Sequence, residues 1–315
     1  MTFENTALLT DQYELTMVAA ALRQPIAHRS CVFEVFARRL PDGRRYGVVA
    51  GTGRVIDELA HFRFGDEEIA IVEKFLDAET VAWLRDYRFS GDIDGYREGE
   101  LYFPGSPILT VRAGFAEGVL LETLILSILN HDSAIASAAA RMVSAAGTRP
   151  IIEMGSRRTH ERAAVASSRA AYIAGVAATS NLEAARRYGV PSAGTAAHAF
   201  TLAFTGPGGP DEKAAFAAQI DALGVGTTLL VDTYDITAGV RNAIEVGGTG
   251  LGAVRIDSGD LGVLARQVRH QLDDLGATET RIVVSGDLDE YAIASLRAEP
   301  VDTYCLLYTS DAADE

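Results

Sequence analysis

Near the start of the chain, apolar residues recur at helical spacing. Leu15, Val18, Ala19 and Leu22 share a face and Pro25 stops the run, so Phe3 to Gln24 is expected to be a helix. Cys31 to Phe36 is apolar and β-branched, the pattern of a strand, and Leu40-Pro41-Asp42-Gly43 has turn chemistry. Asp66 to Tyr87 predicts one or two helices. Gly and Pro break Phe89 to Phe115 into short alternating runs such as Ile108-Leu109-Thr110-Val111, which predicts several short strands. From Gly118 to Ala146 the pattern becomes one long Ala- and Leu-rich helix.

After Thr148-Arg149-Pro150 a unit repeats: a short apolar run, a polar cluster, then a helical stretch. The apolar runs are Ile151-Ile152, Ala171 to Ala178, Ala193 to Ala197, Leu229 to Val231, Ala253 to Ile256, Ile282 to Val284 and Val301 to Tyr304. Helices are expected at Glu161 to Arg169, Glu183 to Tyr188, Glu212 to Leu223, Val263 to Leu275 and Glu290 to Ala298. Strands alternating with helices imply parallel pairing through crossovers. The fold class is therefore α/β: an irregular, incomplete (β/α) barrel over residues 121–304, with a smaller N-terminal α/β domain over residues 1–120. The cluster Gly247 to Gly252 precedes a strand instead of following one, so it is no dinucleotide fingerprint.

Composition narrows the function. The net charge of −15 disfavours nucleic acid and anionic membrane as partners. The positive side chains are almost all arginine, and neither Lys74 nor Lys213 sits in a Walker-type phosphate loop. Cys31 and Cys305 are too few for a disulfide framework or a Cys-rich zinc site. The first residues carry no basic-then-apolar leader, and the charge-free run Gly189 to Pro210 is too rich in Gly and Pro to span a bilayer, so a soluble cytoplasmic protein is expected.

In a (β/α) barrel, the residues just past the strand C-termini face the active site. Here those are Glu153 with Arg157 and Arg158, Thr179-Ser180-Asn181, Thr195 with His198, Asp232-Thr233-Tyr234-Asp235, Arg255 with Asp257-Ser258-Gly259-Asp260, and Ser285-Gly286-Asp287. Helix capping accounts for roughly half of the small polar residues. It does not account for Arg157, Arg255 or His198. Arginines with Ser-Gly turns suit phosphate oxygens. Asp257, Asp260 and Asp287 are candidate ligands for Mg²⁺ bridging phosphates. His198 lies in a charge-free Ala/Thr/Gly setting, where a neutral imidazole can take a phosphoryl group; a buried packing histidine would look the same. An ion pair of Arg157 with Glu153 is the competing account of that arginine.

Seven segments in order resemble the nicotinate phosphoribosyltransferase family. They are Thr10-Asp11-Gln12-Tyr13-Glu14-Leu15-Thr16-Met17, Glu153-Met154-Gly155-Ser156-Arg157-Arg158, Thr179-Ser180-Asn181, Gly194-Thr195-Ala196-Ala197-His198, Asp232-Thr233-Tyr234-Asp235, Arg255-Ile256-Asp257-Ser258-Gly259-Asp260 and Ser285-Gly286-Asp287-Leu288-Asp289-Glu290. The resemblance runs from Leu9 to Tyr304. It implies a type II phosphoribosyltransferase fold, usually a homodimer with a shared active site. It also implies an ATP-coupled condensation of nicotinate with phosphoribosyl pyrophosphate, Mg²⁺ bridging the substrate phosphates, to give nicotinate mononucleotide and pyrophosphate in NAD biosynthesis.

Carried over by the resemblance, His198 is the histidine that ATP phosphorylates. Tyr13 stacks on the pyridine ring from the neighbouring subunit, and Arg157 lies near nicotinate and ribose phosphate. Arg255 and Asp257 contact ribose and substrate, Ser285 and Gly286 form part of the 5′-phosphate cradle, and Asp287 is among the substrate-binding residues. Thr179, Ser180, Asn181 and Thr195 complete the expected substrate-binding set.

Met154 stands where the family often has an aromatic, and Thr159 where it often has Ala. After Tyr304 the family continues with a Gly-Val-Gly-Thr phosphate loop, whereas this chain reads Cys305 to Glu315. Residues 305–315 are thus expected to be a non-native tail on a truncated chain, with weak ribose-phosphate binding or a faulty barrel seam. The rival readings are a nicotinamide or quinolinate phosphoribosyltransferase on the same fold, an unrelated barrel enzyme using the carboxylates Asp232 and Asp257, and an inactive fragment. No lysine lies at a strand end, which removes Schiff-base aldolases.

Overall fold

The computed structural model describes residues 5–306. The chain forms two compact units, one reaching to Ser137 and one starting at Ala138. The division falls inside the helix Glu122–Ala146, where the sequence placed it before that helix, at 120. Apolar positions along the whole helix explain the difference. Leu124, Ile125, Ile128 and Leu129 belong to the core of the first unit, while the buried Ala139, Met142 and Ala146 lie beyond the boundary.

The first unit holds a three-stranded antiparallel sheet with Leu109–Gly114 between Ser30–Val35 and Asp92–Gly95. The expected helix at 66–87 is two, Asp66–Val72 and Ala78–Asp86, the second capped by Asp77, which accepts from the Glu79 and Thr80 amides. The N-terminal helix is shorter than its periodicity suggested, Gln12–Leu22. Glu14 fixes it: buried, it accepts from the Asp11 amide at 3.2 Å and from the Thr123 amide and hydroxyl at 2.9 and 2.8 Å. The helix Thr52–Leu59 has no counterpart in the sequence reading.

The second unit is built on a six-stranded sheet in the order Thr228–Leu230, Ala253–Ile256, Arg281–Gly286, Thr303–Leu306, Ile151–Glu153, Ala178–Thr179, every pair parallel. Apart from Ala178–Thr179, each strand neighbours the sheet strand that follows it in the chain, and Thr303–Leu306 pairs with Ile151–Glu153. This is the cyclic order of a barrel left open on one side, between Ala178–Thr179 and Thr228–Leu230. The opening is not at the C-terminal seam. Cys305 and Leu306, the first residues of the expected tail, are buried in a strand; residues 307–315 lie outside the described residues.

Two of the seven expected strands are corrected. Ala171 to Ala178 is not a strand throughout: the helix Glu161–Ile173 runs on through the buried Ala170 and Ala171, and a turn follows at Ala174 and Gly175. Only Ala178–Thr179 is extended. Ala193 to Ala197 forms no strand. Its neighbour Ser192 makes a single bridge to Thr179, at the open side of the sheet. The helix Ile236–Gly247 was absent from the sequence reading. Its Gly239 passes so close to the preceding strand end that a β-carbon there would lie 2.2 Å from the Val231 carbonyl oxygen. Only glycine lets this helix start so near the turn that precedes it.

Across that helix, Glu212 is buried. Its Oε2 accepts from Asn242 Nδ2 at 2.9 Å, while Oε1 has no partner among the described residues. Burial, with the nearby charge of Asp235, holds this carboxyl above its ordinary value of 4.5. A raised folded-state pKa favours folding below the ordinary value, and that contribution is lost as pH climbs through the folded value. Glu212→Gln is therefore expected to flatten the fall in stability as pH rises from the ordinary carboxyl value of 4.5 through the raised folded value. Thermal melts of both proteins across that range check it, and parallel curves would reject the assignment.

Candidate active site

Strand alternation sorts the barrel residues. Val254 and Ile256 are buried on one face, while Ala253, Arg255 and then Asp257 follow the other. Ala253, Val283 and Cys305 pack together with Ile152 and Met154 as an apolar layer. The next inward positions, at the C-terminal ends, are Arg255, Asp257 and Ser285. Burial pushes the Cys305 thiol up to about 11, so it is a packing residue and not a nucleophile.

Asp257 is the hub of the mouth. Its Oδ1 accepts from the buried Ser285 hydroxyl, and its Oδ2 lies 3.7 Å from His198 Nε2. Asp232 braces it from behind: Asp232 Oδ2 accepts from the Asp257 amide at 2.7 Å and the Ser258 hydroxyl at 2.9 Å. The other oxygen, Oδ1, lies 4.0 Å from His198 Nε2 and is buried with no hydrogen-bond partner among the described residues. His198 Nδ1 is 3.1 Å from Thr233 Oγ1. Arg255 donates from Nη1 to Thr195 Oγ1 at 3.1 Å, and its Nε is buried without a partner. His198, Arg255, Asp257, Ser285 and Thr195 therefore meet at one end of one sheet.

Other expected residues do different work. Thr179 is fully buried beneath the mouth, donating its hydroxyl to Glu153 Oε2 at 2.6 Å. It therefore cannot reach a ligand as expected, because two-residue strand pairing turns its side chain into the helix layer. Asn181 caps the helix Leu182–Tyr188 through the Ala184 amide and donates to Ser156 Oγ. Ser180 is exposed, and its amide donates to the Glu153 carbonyl at 2.8 Å. Arg157 is exposed in the turn Gly155–Arg157. The ion-pair account of Arg157 fails, since Glu153 instead accepts from the Gly155 amide and the Ser168 and Thr179 hydroxyls. Asp287 pairs with Arg158 at 3.1 Å. Gly286 ends its strand with φ 154°, a conformation side chains resist.

Asp260 accepts from the Val263 amide as a helix cap. With Asp287 held by Arg158, the expected carboxylate trio for Mg²⁺ is not assembled, and among the described residues no group of three or more His, Cys, Asp or Glu is placed to hold a metal. The carboxylate-pair reading loses as well. The Asp232 side chain is 1% exposed and accepts two internal hydrogen bonds, so it cannot flank a sugar. Tyr13 belongs to the first unit. It is half exposed there and lines a cavity of about 690 Å³ with Arg38, Arg39 and Arg44.

The sequence placed Asp232 and Thr233 at the mouth but gave neither a role in the phosphoribosyltransferase site. The usable signal was position. Asp257 directly follows its strand and Asp232 stands one residue further from its own, whereas Asp235 and Asp260, three residues later, cap the next helices.

Residues 8–130 match the family model described as the nicotinate phosphoribosyltransferase N-terminal domain. Nicotinate phosphoribosyltransferase pncB1 of Mycobacterium tuberculosis is 71% identical over 300 residues, covering 94% of this chain and 67% of the relative. The chain belongs to the nicotinate phosphoribosyltransferase family. It spans about two thirds of the length of that relative, and its match to the Bacillus subtilis nicotinate phosphoribosyltransferase, 37% identical, covers 61% of that protein. The crystal structure of the human nicotinic acid phosphoribosyltransferase superposes with a TM-score of 0.83 at 28% identity, covering 95% of this chain and 72% of that one. The sheet open on one side is thus this chain's rendering of the nicotinate phosphoribosyltransferase fold. Among the described residues no helix is long and apolar enough to cross a membrane.

Proposed function

We propose that this chain condenses nicotinate with phosphoribosyl pyrophosphate, coupled to ATP, giving nicotinate mononucleotide and pyrophosphate. The observation that carries the reading is the convergence of His198, Arg255, Asp257 and Ser285, drawn from two strand ends and the start of the helix His198–Ala203, in a chain of this family. Breaking the C1–pyrophosphate bond develops positive charge on the ribose and negative charge on the leaving group. Arg255 suits the negative side, since its buried Nε lacks a partner and its Nη1 holds only a threonine hydroxyl that a phosphate oxygen can replace. Asp257, held by Ser285 and the Asp232 brace, sits where positive charge or a ribose hydroxyl would be met. Exposed Arg157 remains a ligand for the carboxylate or phosphate.

His198 is the phosphoryl acceptor in this reading. Its ring is 39% exposed on one side and backed by two carboxylates on the other, which would stabilise the positive charge of a phosphorylated ring. Mg²⁺ enters with the substrate phosphates, whose oxygens supply most of its ligands. Tyr13, an exposed aromatic beside three arginines, is the group offered to a second copy in a homodimer.

Calorimetric titration with phosphoribosyl pyrophosphate, followed by nicotinate, nicotinamide and quinolinate side by side, tests the proposal. Mononucleotide is expected from nicotinate alone, and preference for either other acid or amide would move the chain to a sibling activity. Arg255→Ala is expected to weaken phosphoribosyl pyrophosphate binding roughly tenfold to a hundredfold, the worth of a charge-assisted pair. An unchanged dissociation constant would remove Arg255 from the phosphate site.

A further inference from the structure

We infer that Thr233 is the positioning residue of His198: its hydroxyl fixes the imidazole tautomer and thereby selects Nδ1 as the nitrogen that takes the phosphoryl group. The inference deepens the phosphoryl-acceptor reading of His198 and rests on it for its chemistry. The geometry itself stands on three contacts. Nδ1 lies 3.1 Å from Thr233 Oγ1. Nε2 lies 3.7 Å from Asp257 Oδ2 and 4.0 Å from Asp232 Oδ1. Carboxylates only accept, so the nitrogen facing both of them carries the ring proton. A neutral imidazole has one N–H, which leaves Nδ1 as the lone-pair nitrogen. A hydroxyl can donate or accept, and beside a lone pair it donates.

The surroundings hold this arrangement in place. Asp232 cannot turn away, because its Oδ2 is anchored by the Asp257 amide and the Ser258 hydroxyl. Asp257 is anchored by Ser285. Thr233 sits in the turn directly after Asp232, and Asp235 ties that turn to the next helix by accepting from the Ala238 amide at 2.8 Å. Both sides of the ring are therefore addressed from fixed positions: the other tautomer would point a protonated nitrogen at a hydroxyl and a lone pair at two carboxylates, and a ring flip would put carbons in place of both nitrogens.

The chemistry follows. The Nδ1 lone pair attacks the terminal phosphorus of ATP. A nitrogen–phosphorus bond forms, and the bond to the bridging oxygen breaks, its electrons leaving with ADP. No proton is transferred: Nε2 keeps its hydrogen, and the ring becomes a cation facing Asp257 and Asp232. The Thr233 hydroxyl, displaced from Nδ1, turns its hydrogen to an oxygen of the new phosphoryl group.

The test reads the tautomer directly. Histidine labelled with ¹⁵N is placed in the full chain without ligands at about pH 8.5, where an ordinary imidazole is neutral. The His198 signals are assigned by their loss in His198→Asn. The expected spectrum shows a protonated Nε2 and a bare Nδ1. Thr233→Val is expected to raise the Nδ1-protonated population severalfold, and Thr233→Ser to restore the wild-type pattern. A wild-type ring protonated at Nδ1 overturns the inference without any variant, which matters if Thr233→Val does not fold. An unchanged tautomer in folded Thr233→Val overturns it too.

Labelling from γ-³²P-ATP is measured alongside. An orienting partner at metal-bound histidines is worth roughly tenfold to a hundredfold, so the labelling rate should fall about tenfold in Thr233→Val and stay within about threefold in Thr233→Ser. Absence of label on the wild type, with the expected tautomer present, sinks the phosphoryl-acceptor reading and leaves the positioning of the ring intact.

Discussion

His198→Ala is expected to abolish transfer of ³²P from γ-labelled ATP to the chain, a loss of more than about a hundredfold, while the protein keeps its melting temperature to within a few degrees. The size of the effect follows from a setting of the His198 ring that the ion-paired histidines do not share. His131 is bound to Asp132, His160 faces Glu161, and His270 faces Asp274. None of these has a second carboxylate behind the ring or a hydroxyl on the opposite nitrogen, so none is prepared to hold a phosphorylated cation. The small structural cost follows from exposure: the ring is 39% open and its one hydrogen bond is to Thr233. Label retained at wild-type levels in the folded variant would remove the covalent role of His198, while the family assignment would remain.

The second large effect concerns a residue that touches no ligand. Glu153 is 1% exposed at the end of the strand Ile151–Glu153. Its carboxylate gathers the Gly155 amide, the Ser168 hydroxyl at 2.7 Å and the Thr179 hydroxyl at 2.6 Å. It thereby ties the turn bearing Arg157 and Arg158 to the neighbouring strand and to the helix Glu161–Ile173. Removing the acceptor leaves three buried donors, each costing about 1–3 kcal/mol when unsatisfied. Ser168 recovers part of this, since its hydroxyl also bonds to the Ala164 carbonyl at 2.9 Å. Glu153→Ala is therefore expected to lose about 3 kcal/mol, seen as a fall of roughly 6–12 °C in melting temperature. Glu153→Gln keeps the shape and one acceptor oxygen and should lose less than half as much. Calorimetry or circular dichroism of the two variants decides. A melting temperature for Glu153→Ala within about 2 °C of wild type would show that the turn is held elsewhere.

Much of the second unit was legible because its signals are local. The strands Ala253–Ile256 and Arg281–Gly286 are short β-branched runs bounded by Gly, Ser and Asp, and their helices follow at once. The caps were legible for the same reason: Asn181, Asp235, Asp260 and Asp289 each accept from an amide three residues on. The segment 193–197 misled because Ala, Gly and Thr suit several conformations, and only a partner strand would have made it extended; Thr179 supplies one bridge. The segment 171–178 misled because alanine-rich apolar sequence fits a buried helix as well as a strand. Thr179 was assigned to the mouth because the motif is there; side-chain direction in a two-residue strand depends on register, which the motif does not encode.

By itself, the sequence determined the residue inventory, the strand–helix alternation, the acidic surface and the placement of polar groups just after strand ends. These follow from spacing of three or four residues and from charge, which need no distant partner. Tertiary structure alone decided that Asp232 stands behind Asp257, that both face one nitrogen of His198 while Thr233 takes the other, and that Glu153 supports the turn instead of pairing with Arg157. The relations around His198 join residues 25 or more positions apart, as Asp232 to Asp257 and His198 to Thr233 do, and Glu153 reaches Thr179, 26 positions on. Closing such distances depends on sheet register and helix packing summed over the whole unit, and no local run of amino acids carries that sum.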